Sequence, residues 1–256
     1  MKVREMDIEF YSHYMNALEH KQGPQWQYDE TKPCGVDYNS FWQARIYDRC
    51  HQKFRDFAAE SARIIESLKP ETSHTIMDMG CGTGAFALNA AKYFKKVYAV
   101  DISDAMLRRA RKKARKANLK NVEFCNGGFL TYIHNDEPVD AVVTGAALHH
   151  LPDFWKLIAL KNLAKILRQN GKLYLSDVVF SFDLSHYKSS IKALIRIMTN
   201  RTEPAMEQEL HTHFSKEYST FSWIMEGLLE KAGFAIENAN YTDGFLATYL
   251  CTKKGE

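Results

Sequence analysis

Between residues 75 and 180 the chain alternates short apolar runs with longer stretches in which apolar positions recur every three or four residues. The runs near 75–79, 97–101, 121–125, 139–144 and 171–178 are short and rich in Val, Ile, Leu and Tyr, which predicts buried strands. The stretches near 84–95, 103–117 and 154–169 have the helical period. Strand and helix in alternation predict a doubly wound, mostly parallel sheet. Beyond it, Glu217 to Lys231 reads as a helix ended by Gly233, and Phe234–Tyr241 and Phe245–Thr252 read as strands joined at Thr242-Asp243-Gly244. Asp-Gly between two such runs is a hairpin signal. The predicted fold class is α/β and Rossmann-like: a seven-stranded sheet closed by a C-terminal antiparallel hairpin.

Two segments fall outside this alternation, residues 1–60 and the insertion 181–216 after the fifth strand. Ligands of open α/β sheets bind at the carboxyl ends of the strands, so a segment leaving such an end sits over the pocket. Residues 1–60 are expected to form a helical lid and 61–256 one domain with 181–216 as a second lid. Rings concentrate in both: Tyr11, Tyr14, Trp26, Tyr28, Tyr38, Phe41, Trp42, Tyr47, Phe54 and Phe57 in the first, Tyr187 and Phe214 in the second.

The first strand runs into Asp78-Met79-Gly80-Cys81-Gly82-Thr83-Gly84-Ala85. Gly80, Gly82 and Gly84 let the backbone turn tightly and approach a ligand with no Cβ in the way. Gly80-x-Gly82-x-x-Ala85 also satisfies a loose dinucleotide fingerprint, so the turn alone leaves a nicotinamide cofactor open. Asp78 and Gly84 shift the balance, because a carboxylate repels a pyrophosphate and suits a cation. S-adenosylmethionine, with a sulfonium, an ammonium and no phosphate, fits better. The second strand ends in Asp101, placed to accept the hydroxyls of a ribose, and Ser103 is the natural cap of the helix that follows.

The order Asp-x-Gly-x-Gly-x-Gly, then Val100-Asp101-Ile102-Ser103, Val139-Asp140-Ala141-Val142-Val143, Ala147-Leu148-His149-His150-Leu151-Pro152-Asp153 and Asn170-Gly171-Lys172-Leu173 resembles the class I S-adenosylmethionine-dependent methyltransferases over about residues 72 to 180. It is similar in particular to the small-molecule branch that includes the ubiquinone-type C-methyltransferases. The resemblance implies S-adenosyl-L-methionine as cofactor and S-adenosyl-L-homocysteine as product. It implies cofactor contacts from Asp78, Gly80, Cys81, Gly82 and Gly84, from Asp101 on the ribose, from Ile102 and Met106 on one adenine face and Gly128-Phe129 on the other, and from Gly145 beside the methionine part. Asp78 is also read as orienting the turn through backbone hydrogen bonds. Many relatives carry an acid in the turn that here reads Gly127-Gly128-Phe129; this chain has none, which leaves the adenine to a backbone amide or Asn126.

Methyl transfer from a sulfonium is an in-line displacement that asks first for positioning, and for a base only when the acceptor must lose a proton. His149 is the candidate base, since histidine titrates near neutrality, with His150 beside it and Asp177 at the end of the fifth strand. Tyr47-Asp48 resembles a tyrosine-aspartate pair that precedes the core in this branch, and Tyr47 is the second catalytic candidate. His211-x-His213 with His186 would suit a metal if alternate residues shared one face of a strand, but no acid or cysteine completes the set and no metal is expected.

Composition changes little of this. The 256 residues carry a formal charge of only +3, and five dispersed cysteines with no Cys-x-x-Cys pair fit reduced thiols in a cytoplasmic protein. No apolar run reaches the roughly twenty residues that span a bilayer. Residues 108–116 hold seven bases in nine, read as the solvated face of a helix whose alanines form the opposite stripe. The expected function is methylation of a small, partly aromatic or apolar acceptor by a monomer or homodimer, with no nucleic acid and no membrane involved. The alternatives are an RNA or protein methyltransferase using the basic run, a nicotinamide-dependent oxidoreductase, and a non-catalytic S-adenosylmethionine-binding protein. Gly145-Ala146-Ala147-Leu148 lacks the Asn/Asp-Pro-Pro-aromatic stretch usual for methylation of bases.

Overall fold

The computed structural model describes residues 24–38, 40–53, 55–201 and 204–255. Tyr11, Tyr14 and Phe54 of the first ring-rich segment lie outside them. In chain order the elements are α1 (Phe41–His51), α2 (Phe57–Leu68), β1 (Thr75–Met79), α3 (Ala85–Ala90), β2 (Lys96–Asp101), α4 (Asp104–Lys116), β3 (Val122–Asn126), β4 (Val139–Gly145), α5 (Asp153–Ile166), β5 (Leu167–Phe180), α6 (Tyr187–Arg201), α7 (Pro204–Lys216), β6 (Thr220–Phe221), α8 (Ser222–Lys231), β7 (Phe234–Thr242) and β8 (Leu246–Lys253).

The sheet runs β3-β2-β1-β4-β5-β8-β7, with β6 added beside β5. Strands β1 to β5 pair in parallel, while β5 with β8 and β7 with β8 are antiparallel. This is the predicted α/β architecture with one further short strand. The central strands are buried because helices cover both faces, which is why they read as continuous apolar runs and not as alternations. The β7–β8 turn places Asp243 at φ 56° and Gly244 at φ 78°, two successive left-handed residues that match the twist of the flanking strands.

Local chemistry sets most boundaries. Ser103 caps α4, its hydroxyl accepting from the Met106 N–H, and Ala105, Met106, Ala110 and Ala114 form the helix's buried stripe. Three boundaries depart from the periodicity. The helix expected over 84–95 stops at Ala90. Strand β5 starts at Leu167, because Leu167 pairs with Val139 before an irregularity lets Lys172 resume opposite Ala141. The helix expected from Glu217 starts at Ser222, because the Tyr218 N–H donates to the His149 carbonyl and Thr220–Phe221 pairs with Val179–Phe180. Tertiary pairing there overrides helical propensity. Among the described residues no helix is long and apolar enough to cross a membrane.

Candidate active site

Gly80, Gly82 and Gly84 sit at φ 76°, 53° and 80°, left-handed conformations that side chains resist. A Cβ on Gly80 would come within 2.6 Å of the Ala147 Cβ, so the glycine also lets the β1 turn touch the loop after β4. The Gly80 and Cys81 amides both donate to the Val100 carbonyl. Asp78 is buried and accepts from the Ala87 N–H in the first turn of α3, not from the glycine turn itself. Burial pushes its carboxyl up to about 7, and the nearby Asp101 adds to that. Asp101 accepts from the Gly82 N–H at 2.7 Å and the Ser103 N–H at 2.8 Å. Its pKa is raised by burial despite those two bonds, and no cation is paired with either carboxylate among the described residues. The turn therefore concentrates uncompensated negative charge where a sulfonium and an ammonium would relieve it, and Gly145 leaves open space, with only the Ser176 carbonyl 4.0 Å from where its Cβ would be. These residues fit S-adenosylmethionine.

Ile102 is half-buried, and Met106 packs with Ala44 and Ala105 beneath Tyr38 and Tyr47. Phe129 is buried beyond β3, next to Gly128. The amide of Asn126 is already committed to the Asp101 and Ile102 carbonyls and to Asp104.

A second cluster lies at the ends of β4 and β5. His149 Nδ1 meets Asp177 Oδ1 at 2.5 Å, and the His149 N–H donates to the other Asp177 oxygen at 3.1 Å. His149 Nε2 lies 3.5 Å from Glu217, which also binds His213, and His213 Nε2 reaches Ser219. Burial alone would lower the pKa of His149, but Asp177 and Glu217 outweigh it and raise it. Burial likewise opposes ionisation of Asp177 and Glu217, yet the imidazoles hold both below the ordinary carboxylate range. His150 points to Cys34, 3.5 Å from its Sγ, and burial lowers its pKa to about 4. His149, His150 and Glu217 bring donor atoms within 4.8 Å of one another. The metal arrangement considered from the sequence does not form: His211 and His213 lie on helix α7, where residues two apart point about 200° apart. Sequence reasoning missed Glu217, which carried no motif, and Cys34.

The segment preceding the core docks across both clusters. Tyr28 donates to the His150 carbonyl, the Ser103 hydroxyl donates to the Tyr38 carbonyl, and Thr83 in the glycine turn donates to Asp48. Asp48 also pairs with Lys113 at 2.7 Å and Arg109 at 4.0 Å, while Arg111 donates to the Phe124 carbonyl. Three bases of the 108–116 run are thus engaged inside the fold. Tyr47 stacks on His51 at 3.9 Å and meets Tyr38 edge-on. Tyr38 donates to Glu209 of α7, which joins the two segments predicted as lids.

Residues 76–171 match the model of a methyltransferase domain. The chain is 26% identical over 196 residues to an uncharacterized methyltransferase of Geobacillus kaustophilus, covering 75% of this chain and 85% of that protein. It is 25% identical over 226 residues to a demethylmenaquinone methyltransferase of Lactococcus lactis, covering 81% and 85%. In fold it is similar to an S-adenosylmethionine-dependent methyltransferase from Clostridium acetobutylicum (TM-score 0.63, 16% identity, 83% of this chain and 98% of that one) and to the magnesium protoporphyrin IX methyltransferase of Synechocystis with bound S-adenosylhomocysteine (TM-score 0.60, 16% identity, 84% and 97%). With the motif order, these likenesses make the chain similar to S-adenosylmethionine-dependent methyltransferases, in sequence over the matched domain at residues 76–171 and in fold over most of its length.

Proposed function

We propose that the enzyme methylates a small acceptor with an aromatic or apolar body, and that His149 removes a proton from it. The observation that carries this reading is the buried His149–Asp177 pair at the strand ends, under a ring-rich segment. Asp177 accepts the Nδ1 proton, which fixes the tautomer and leaves Nε2 as the basic nitrogen. The relative named for demethylmenaquinone supports a small-molecule acceptor. The segments 1–60 and 181–216 act as the lid that excludes water, with Tyr47 closing the cofactor side over Asp101. S-adenosylmethionine brings an already activated methyl group; holding it falls to the glycine turn and Asp101, with Ile102, Met106, Gly128 and Phe129 around the adenine and Gly145 beside the methionine part.

A base must be neutral to act, and the raised pKa of His149 means that it holds its proton above the ordinary 6.5. Turnover should therefore rise with pH along a limb above 6.5. His149→Ala should lower kcat by about 10²–10⁴-fold, the usual contribution of a positioned base, and remove that limb. Methyl incorporation into a panel of small phenols and quinols measures both. Turnover and pH profile unchanged in the variant would dismiss His149 as the base.

A further inference from the structure

Gly128 is the second residue of the loop after β3, and its φ is not left-handed, so the backbone there would accept any side chain. What excludes one is Glu30. A Cβ built on Gly128 would lie 2.5 Å from Glu30 Cδ and Oε2 and 2.6 Å from Oε1. The carboxylate of a residue nearly a hundred positions away occupies the space that a side chain at 128 would fill. Two loop groups hold it: Oε1 accepts from the Leu130 N–H at 2.9 Å and from the Thr131 hydroxyl at 2.8 Å. It has no salt-bridge partner among the described residues, and burial raises its pKa in spite of those bonds.

Its position is specific to one part of the cofactor site. The Gly127 N–H donates to the Asp101 carbonyl at 3.1 Å, so the loop that grips Glu30 is fastened to the residue assigned to the ribose. Phe129, the next residue, is the buried ring assigned to a face of the base. A carboxylate in this place accepts hydrogen bonds and donates none. An adenine edge offers an amino donor at its 6-position, whereas a 6-oxo purine offers a lone pair there and would leave the carboxylate facing an acceptor.

We propose that Glu30 is the acceptor for the adenine amino group of the cofactor, supplied from the segment before the core in place of a side chain in the β3 loop. The inference rests on the methyltransferase reading and explains why position 128 is glycine. It also makes docking of residues 24–38 a condition for reading the base. A buried acceptor left without its donor discriminates strongly against an analogue that lacks it.

Calorimetry on the full chain with S-adenosylhomocysteine and its 6-oxo analogue S-inosylhomocysteine tests this. The wild-type protein should bind the adenine compound roughly tenfold to a hundredfold more tightly, the range for a hydrogen bond to a charged group. Glu30→Gln, whose amide can accept or donate, should bring the two affinities within about threefold. Glu30→Ala should weaken the adenine compound, and Glu30→Ala with Gly128→Asp should restore preference by returning a carboxylate to the vacated space. Melting temperatures identify any variant that fails to fold, and Glu30→Gln keeps the shape if Glu30→Ala does not. A wild-type ratio retained in folded Glu30→Gln overturns this inference alone. Failure of the wild-type protein to bind either compound overturns the cofactor reading with it.

Discussion

The glycine turn and the His149 cluster occupy the same edge of the sheet, and both bury carboxylates, yet they treat them oppositely. At the turn, Asp78 and Asp101 are held by peptide N–H groups, and burial drives both pKa values up. In the cluster, Asp177 and Glu217 face imidazoles, and their pKa values fall. At the turn the peptide N–H groups soften the cost of burying charge without overcoming it; in the cluster the facing imidazoles reverse it. The turn thus leaves its two carboxyl groups without a cationic partner among the described residues, while the cluster pairs its acids with imidazoles of the chain itself.

The sharpest way to break this contrast is to neutralise one acid on each side. Asp177→Asn removes a partner from a buried pair and should destabilise the protein by about 3–5 kcal/mol. The sign with pH follows from both partners. Asp177, with its pKa lowered, contributes above its ordinary 3.8 and loses the contribution as pH falls through the lower folded value; His149, with its pKa raised, contributes below 6.5 and loses it as pH rises through the higher folded value. The loss in Asp177→Asn should therefore be largest between these limits, near pH 5–6, in urea melts. A loss that is the same at pH 5 and pH 9 would mean the pair is not ionic.

Asp78→Asn should act in the opposite direction. The folded protein holds the Asp78 proton to about 7 against an ordinary 3.8, so wild-type stability declines as pH climbs between those values. Asparagine can keep the bond from the Ala87 N–H without the charge. The variant should match wild type near pH 4 and exceed it at pH 8 by up to roughly 4 kcal/mol, since each tenfold change in proton affinity is worth about 1.4 kcal/mol. Thermal melts at the two pH values measure the gain. A variant that is less stable at pH 8 would show that the charge is compensated by a group other than the ligand.

Asp101→Ala probes the turn through its ligand. Affinity for S-adenosylhomocysteine should fall by about 1.5–3 kcal/mol, the range for hydrogen bonds to a charged group. Because Asp101 also accepts from Gly82 and Ser103, the test needs a comparison with Asp101→Asn, which keeps an acceptor oxygen for those amides. If calorimetry gives wild-type affinity for both variants, the ribose assignment is wrong.

The two regions also differ in how much of them the sequence exposes. The turn is local: strand, glycines, Asp101 and the Ser103 cap follow one another within thirty residues, and each has its own physical signature. The cluster is assembled from His149, Asp177, Glu217 and Cys34, which four separate segments bring together. Part of it was available in principle, because Gly145 pairs with Ser176 in the parallel register, which sets Asp177 beside the loop that carries His149. Nothing local marks Glu217, and the shared face that a strand would give His211 and His213 does not arise because the segment is helical. Glu30 was hidden for the same reason, its partners at Leu130 and Thr131 lying far along the chain.

The smallest expected effect concerns the basic run, which is split between the two roles that its sequence left open. Arg109, Arg111 and Lys113 face inward, to Asp48 and the Phe124 carbonyl, whereas Arg108, Lys112, Arg115 and Lys116 are exposed. Charge that serves a nucleic-acid partner should sit on the exposed set and make binding fall steeply with salt. Charge that serves the fold should sit on the inward set, where Lys113 ties α1 to α4 beside the glycine turn. Replacing Arg108, Lys112, Arg115 and Lys116 with Gln should leave turnover and melting temperature nearly unchanged, within the roughly 0.5 kcal/mol usual for surface substitutions. Lys113→Gln should instead weaken S-adenosylhomocysteine binding by about 0.5–1 kcal/mol, because a half-exposed pair contributes little more than a surface one and reaches the cofactor only through Asp48 and Thr83. Equal losses in both variants, or salt-sensitive RNA binding removed by the exposed set, would overturn this division and return the basic run to an acceptor role.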